Sequence, residues 1–387
     1  MPRSWSQNLA GRPWWLGWRG TDPDRAPLLI HGHLDVVPAD AAEWTVHPFS
    51  GEVRDGYVWG RGAIDMKDMN AMTLAVLRNW ARRDRQPLRD IVLAFVADEE
   101  SGGARGAHWL VDNHPALFAD CSEAISEVGG YSFSIGNDLR LYPIETAEKG
   151  INWLRLRATG TPSHGSMLHD DNAVTRLAAA VSRIGAHEFP VSNHGHRATL
   201  PRTARRTYRT AHRPGQSGAL AEDARQAPRA SSVRRSATRR IRRCFRPDTR
   251  PMSSPARRKP LSTPDSSLGT RRSCSRRWTS LIGEGIDREV LVRDIAVETS
   301  FDGAVVDAMA EALRSEDPGA RPVPYLMSGG TDAKSFSTLG IRCFGFAPLR
   351  LPPDLDFVTM WHGIDERVPI DGLRFGVRVL DRFLSRC

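Results

Sequence analysis

The sequence has 387 residues, of which 40% are hydrophobic and 7% aromatic, which is enough apolar material for a core and excludes wholesale disorder. Its five cysteines contain no C-x-x-C pair, which excludes a disulfide scaffold and favours a reducing compartment. The longest apolar run, residues 91–97, is far shorter than the roughly 20 residues of a membrane helix, and the N-terminus lacks the apolar core of a signal peptide. We therefore expect a cytoplasmic protein without a membrane partner.

The net charge of +9 is distributed unevenly along the chain. Residues 191–280 contain 22 Arg, one Lys and four acidic residues, whereas the rest of the chain contains 31 basic and 41 acidic residues. A mildly acidic protein therefore carries one strongly basic segment. The two parts are best interpreted separately, because the basic charge does not describe the whole protein.

Residues 26–190 alternate between strand and helix patterns. The apolar run at 26–37 predicts a strand that is buried on both faces, residues 65–83 have apolar side chains at helical spacing, and residues 90–100 predict a second buried strand. Further patterns predict helices at 103–118, 172–184, 302–317 and 371–384, and strands at 123–130, 150–160, 288–299 and 341–349. This alternation predicts an α/β domain with a largely parallel sheet.

Histidines and carboxylates are found where these predicted strands end and where a helix begins. Ligands of parallel sheets bind at the carboxyl ends of strands, so these side chains are expected to converge. Nitrogen and oxygen ligands suit zinc, and three of the carboxylates would offset most of the charge of two Zn²⁺ ions. The candidates are His33, Asp35, Asp65, Glu99, Glu100, Glu127 and His362.

Six segments, in order, resemble the co-catalytic zinc amidohydrolases of metallopeptidase family twenty: HGHLDVVP, WGRGAIDMKD, VADEESGG, SEVGG, GTPSHGSM and HGIDERV. This family includes aminoacylase, acetylornithine deacetylase, succinyl-diaminopimelate desuccinylase and carnosinase. The resemblance covers residues 26–190 and 281–387. It implies a zinc-peptidase-like α/β catalytic domain, with a mostly parallel sheet flanked by helices, at 1–145 and 300–387. It also implies a smaller α+β lid and dimerisation domain at 146–299.

The resemblance implies a set of metal ligands. His33 and Glu127 would bind one zinc, His362 and Glu100 would bind the other, and Asp65 would bridge both. Two Zn²⁺ ions are therefore the expected cofactors, and Co²⁺ or Mn²⁺ could substitute for them.

The resemblance also implies catalytic and substrate-binding roles. Asp35 would orient the imidazole of His33, and Glu99 would be the general base that takes a proton from the attacking water and delivers it to the leaving nitrogen. His164 would reach the partner's active site in a homodimer and stabilise the oxyanion. Residues 328–332, which run from Ser328 to Asp332, would form the glycine-rich substrate loop, in which Gly329, Gly330 and Thr331 would bind the substrate.

The basic segment at 191–280 interrupts the expected lid. It shows neither strand nor helix periodicity, and only 11 of its 90 residues are large and apolar, so we expect the lid to be disrupted there. Three interpretations remain: a nucleic-acid-binding arm, a solvated linker, or the product of GC-rich DNA translated out of frame. We favour the out-of-frame interpretation, and therefore expect no nucleic-acid partner.

These observations together predict a metal-dependent hydrolase that cleaves amide bonds in small peptides or N-acyl amino acids with a metal-activated water. A protein that keeps the metal site without catalysis is an alternative. An Arg-rich nucleic-acid-binding protein is a second alternative, which the salt dependence of binding would identify.

Overall fold

The computed structural model describes residues 14–136, 139–162, 164, 166, 170–187 and 278–387. The described residues form two compact units, the first running to Ile151 and resuming at Asp294, and the second running from Asn152 and ending at Arg293. The first unit therefore includes residues 146–151 and 294–299, which the sequence assigned to the lid. Residues 191–277, which make up nearly all of the basic segment, lie outside the described part of the chain. The three interpretations of this segment therefore stay predictions.

The regular elements are numbered in chain order. The strands are β1 (Trp14–Trp18), β2 (Leu28–His33), β3 (Val53–Arg54), β4 (Tyr57–Trp59), β5 (Ile91–Val96), β6 (Glu123–Ser126), β7 (Phe133–Ile135), β8 (Leu139–Glu148), β9 (Asn152–Ala158), β10 (Ile286–Arg293), β11 (Val297–Glu298), β12 (Ala320–Met327), β13 (Arg342–Gly345) and β14 (Arg367–Pro369). The α-helices are α1 (Lys67–Arg83), α2 (Ala107–Asn113), α3 (Ala173–Ala186), α4 (Ala304–Glu316), α5 (Ala333–Ser337) and α6 (Ile370–Leu384).

The first unit is built on one large sheet. Its strand order is β1-β5-β2-β6-β13-β8-β11, and β7 and β12 also pair with β8. Strands β5, β2, β6 and β13 are parallel to one another, whereas β1 runs antiparallel to β5 and β13 antiparallel to β8. The predicted α/β class with a central, mostly parallel sheet is therefore confirmed. A small separate sheet joins β3, β4 and β14.

The apolar runs of β2 and β5 are buried at every position, as expected for strands covered on both faces. Successive side chains of a strand point to opposite faces. Leu28 therefore packs in a core cluster with Trp80 of α1 and Phe383 of α6. Leu29 lies in a second cluster with Phe336 of α5, on the opposite face of the sheet. Helices thus cover both faces of the sheet and leave its strand ends for the site.

The second unit contains an antiparallel pair, β9 with β10, and the helix α3. Helix α3 begins after Asn172, whose side-chain oxygen accepts the backbone N–H groups of Val174 at 2.9 Å and Thr175 at 3.1 Å. The single strand predicted at 288–299 is two strands in the structure. β10 ends at Arg293, and the short strand β11 pairs with β8 in the first unit.

None of the helices in the described part of the chain is long and apolar enough to cross a membrane.

Candidate metal centre

Two groups of ligand-type side chains meet at one shared carboxylate. His33 Nε2 lies 3.0 Å from Asp65 Oδ1 and 3.5 Å from Glu127 Oε2. His362 Nε2 lies 2.9 Å from Asp65 Oδ2 and 3.1 Å from Glu100 Oε2. Within each group the candidate ligand atoms are all within 4.8 Å of one another. The structure therefore brings together the five residues that the sequence singled out as ligands.

The topology of the sheet explains why these residues meet. His33 is the last residue of β2, Glu127 follows β6, and Glu100 lies in the 3-10 turn after β5. These three strands are adjacent and parallel, so their carboxyl ends share one edge of the sheet. Asp65 directly precedes Met66 at the start of α1, whereas His362 lies in a loop between a 3-10 turn and β14.

The donor set fits two divalent cations. Each group offers one imidazole nitrogen and carboxylate oxygens, which are ligands that zinc, cobalt and manganese accept. Asp65 presents one oxygen to each group, as a bridging ligand must. The side chain of His33 is 1% exposed and that of His362 is 48% exposed, so the His362 group is the one that faces solvent.

The electrostatics of the site also favour positive charge at both positions. Burial alone would lower the pKa of His33, but the carboxylates of Glu127, Asp35 and Asp65 outweigh it and raise that pKa well above its ordinary value. Hydrogen bonds to Asp65 and Glu100 raise the pKa of His362 to about 9. Burial opposes ionisation of Asp65, yet hydrogen bonds from both imidazoles hold its pKa below the usual range. The carboxylates thus create two points that attract cations.

Asp35 organises the site more widely than the sequence suggested. Its backbone carbonyl accepts a hydrogen bond from Nδ1 of His33 at 3.0 Å, and this bond directs the Nε2 atom of the ring towards the ligand group. The carboxylate of Asp35 lies 3.6 Å from the same Nδ1 atom. The carboxylate oxygens also accept the backbone N–H groups of Glu99 at 3.2 Å and Glu100 at 3.1 Å. Asp35 therefore fixes the backbone of both glutamates as well as the ring of His33.

Glu99 belongs to neither ligand group. It is partly buried, and burial, followed by the nearby charges of Glu127 and Asp332, raises its pKa to about 10. A carboxyl group that lies directly beside the ligand Glu100 but outside both ligand groups is a candidate for proton transfer. Asp332, which the sequence analysis placed in the substrate loop, is also a neighbour of Glu99. It is buried at the start of α5, and burial raises its pKa to about 8.

Two residues of α1 that the sequence analysis did not single out hold the end of β2. Asn70 Nδ2 donates to the carbonyl of His33 at 2.8 Å, and Lys67 Nζ donates to the carbonyl of Leu34 at 2.7 Å. Gly32 makes this approach possible, because a Cβ there would lie 2.2 Å from the Asn70 side-chain oxygen. A polar residue in the first turns of a helix is usually solvated, so only the three-dimensional contact reveals this function.

The predicted substrate loop is anchored to the sheet. The backbone N–H of Thr331 donates to Glu148 at 3.0 Å and its hydroxyl donates to the same carboxylate at 2.5 Å. A Cβ at Gly330 would lie 2.5 Å from the Nζ atom of the buried Lys334. The hydroxyl of Thr331 therefore holds the loop to the end of β8, and Gly329 is the exposed member of the three.

His164 lies in the second unit, where it is exposed and its Nδ1 atom forms a hydrogen bond with Ser166 Oγ at 2.8 Å. Its role in a partner's active site stays a prediction.

Comparison with known sequences assigns the chain to a protein family. The sequence profile of Peptidase family M20/M25/M40 matches residues 29–386, and the chain belongs to this family. The resemblance identified from the six segments is thereby confirmed.

Two curated relatives illustrate the similarity. The chain is 34% identical over 176 residues to the N-fatty-acyl-amino acid synthase/hydrolase PM20D1 of Xenopus tropicalis, a match that covers 44% of this chain and 34% of that protein. It is 32% identical over 170 residues to aminoacylase-1 of Sus scrofa, which covers 44% of this chain and 40% of that protein. The matched part thus spans between a third and two fifths of the length of these relatives.

Solved structures share the fold at lower identity. The human carnosine dipeptidase 1 structure superposes with a TM-score of 0.61 at 14% identity, covering 97% of this chain and 83% of that one. An M20 family metallo-carboxypeptidase from Sulfolobus solfataricus superposes with a TM-score of 0.62 at 16% identity, covering 97% and 87%. At these identities the likeness supports the fold alone.

Proposed function

We propose that this protein is a metal-dependent hydrolase that cleaves amide bonds in small peptides or N-acyl amino acids. The observation that carries the proposal is the position of Asp65, which shares its two oxygens between two groups that each contain a histidine and a second carboxylate. Membership of a peptidase family supports the same reaction class.

The ligands would hold two divalent cations, which we propose to be Zn²⁺, with Co²⁺ or Mn²⁺ as substitutes. His33 and Glu127 would hold one cation, His362 and Glu100 the other, and Asp65 would bind both. When bound, such cations polarise a carbonyl group and lower the pKa of water, which supplies the nucleophile.

Glu99 would act as the general base. It would take a proton from the attacking water and deliver it to the leaving nitrogen. Asp35 would support this step by holding the backbone N–H of Glu99, so that the base and its neighbouring ligand Glu100 keep a fixed relative position. Nearby cationic charge would bring the raised pKa of Glu99 down towards neutrality, where a proton can be both taken and returned.

The substrate class is inferred from the names of the relatives. The names of aminoacylase-1 and the N-fatty-acyl-amino acid synthase/hydrolase point to an amide bond next to an amino acid. A homodimer, with His164 of one subunit serving the other's site, and a cytoplasmic location belong to the same proposal.

The test combines metal content with turnover. We expect about two divalent cations per chain by elemental analysis after dialysis, and hydrolysis of N-acetyl amino acids or dipeptides that a chelator abolishes and added Zn²⁺ restores. Replacing His33 and His362 by Ala should remove both metals and the activity. Replacing His47 by Ala is the matched control, because this exposed histidine lies outside both ligand groups. An unchanged metal content in the double variant would refute the proposal.

A further inference from the structure

One fully buried carboxylate joins two loops of the metal centre without belonging to either ligand group. Glu366 is 0% exposed. Its Oε2 atom accepts hydrogen bonds from Nη1 of Arg61 at 2.6 Å and from the backbone N–H of Gly62 at 3.0 Å. Its Oε1 atom accepts a hydrogen bond from the backbone N–H of Ile64 at 2.8 Å. The carboxylate therefore has three donors, all from the segment that leads to Asp65.

The same two loops are joined by further contacts. Arg61 Nη2 donates to the carbonyl of Gly363 at 2.6 Å, and the backbone N–H of Gly60 donates to the carbonyl of Glu366 at 2.9 Å. The segment 60–64 directly precedes Asp65, and the segment 363–366 directly follows His362. Both residues belong to the more exposed ligand group, so this hydrogen-bond network connects the backbones that carry them.

The two ligand groups differ in what positions them. His33 ends β2 and Glu127 follows β6, so the hydrogen bonds of the parallel sheet hold both residues. His362 lies in a loop, where its φ of 55° is a left-handed conformation that only surrounding contacts maintain. Without the carboxylate of Glu366, the N–H groups of Gly62 and Ile64 would lose their partner inside the protein, which is costly for buried donors.

We propose that Glu366, with Arg61, is a positioning residue that sets the distance between Asp65 and His362 and thereby the affinity of the His362 group for its metal. This inference rests on the proposed function, because it takes the two groups to be metal sites. Residues that orient metal ligands typically change metal affinity by 10-fold to 100-fold when replaced. The effect should fall on one group much more than on the other.

The experiment isolates each group and then removes the carboxylate. His33→Ala leaves the His362 group, and His362→Ala leaves the His33 group. Binding of Co²⁺ is measured by its visible absorption in competition with a chelator. Adding Glu366→Gln should raise the Kd for Co²⁺ by about 10-fold to 100-fold in the His33→Ala chain and by less than about threefold in the His362→Ala chain.

The matched control is Glu316→Gln. Glu316 also accepts hydrogen bonds from two arginines, from Nε of Arg378 and Nε of Arg382, each at 2.6 Å. It lies at the end of α4, however, and contacts neither of the two loops that carry Asp65 and His362. This variant should lower the Tm and leave both Co²⁺ affinities unchanged. If Glu366→Gln does not fold, Arg61→Lys replaces it, since lysine keeps the positive charge but has a single nitrogen in place of the two that donate to Glu366 and to Gly363.

The outcomes separate this inference from the proposed function. Equal weakening of both groups by Glu366→Gln, or weakening of neither, overturns the role of Glu366 while two metal sites remain. Failure of both single-group chains to bind Co²⁺ with Glu366 intact overturns the metal centre itself, and the inference with it.

Discussion

Two neighbouring glutamates have different surroundings in this structure, and their amide variants should therefore fail in different ways. Glu100 Oε2 lies 3.1 Å from His362 Nε2 and belongs to a ligand group, whereas Glu99 belongs to none. Glutamine has nearly the same shape as glutamate, but it carries no charge and cannot take up the proton. Glu99→Gln and Glu100→Gln thus test proton transfer and metal binding separately.

The expected magnitudes follow from these positions. Loss of a general base costs about 10²-fold to 10⁴-fold in rate, which corresponds to roughly 3 to 5 kcal/mol in the activation free energy. Glu99→Gln should therefore lose most of its kcat and keep two metals. Glu100→Gln removes one of the three carboxylates that offset the cations, so it should retain about one metal after dialysis, and excess Zn²⁺ should restore part of its activity.

The assay measures metal content by elemental analysis and kcat with an N-acetyl amino acid or dipeptide, on the same preparations of both variants. Asp35 holds the backbone N–H groups of both glutamates, so the backbone is expected to stay in place in each variant. The reasoning is refuted if Glu99→Gln loses metal while Glu100→Gln keeps both metals and loses turnover, because the two roles would then be exchanged.

Three further predictions concern the support of the site and of the fold. Asp35→Asn should weaken metal binding by about 10-fold to 100-fold in a Co²⁺ titration, because it replaces one of the two carboxylate oxygens that accept the backbone N–H groups of Glu99 and Glu100, and an unchanged affinity would contradict this role of the carboxylate. Phe383→Ala, at a fully buried position, should cost about 3 to 5 kcal/mol in urea unfolding, whereas Val358→Ala, at an exposed position, should change little. Burial opposes ionisation of Glu316, but hydrogen bonds from Arg378 and Arg382 lower its pKa. Its contribution to stability is therefore complete above its unfolded pKa of roughly 4.3 and is lost as the pH falls through its lower folded pKa. Glu316→Gln should reduce this acid-side dependence of the Tm, and an identical pH profile would count against it.

The prediction of the fold succeeded where one segment carries its own periodicity. The buried runs of β2 and β5 and the apolar stripe of α1 are visible in the sequence, because each pattern repeats within one element. Strands β8 and β12 were missed, since both contain prolines, which are unusual inside strands. In the described part of the chain β12 pairs with β8 alone, so an edge position accommodates its prolines. The edge strand β1 was missed as well.

By itself the sequence determined the α/β class and the types of ligand, because the ends of parallel strands must meet at one edge of the sheet. Only the tertiary structure decided which oxygen of Asp65 faces His33 and which faces His362. It also revealed that the Asp35 carboxylate holds the backbone N–H groups of Glu99 and Glu100, and that Asn70 and Glu366 support the segments beside the ligands. The hydrogen bonds between Glu366 and the loop before Asp65 join segments about 300 residues apart in the chain. Such contacts leave no local pattern in the sequence, since the geometry that selects each partner exists only after the chain has folded.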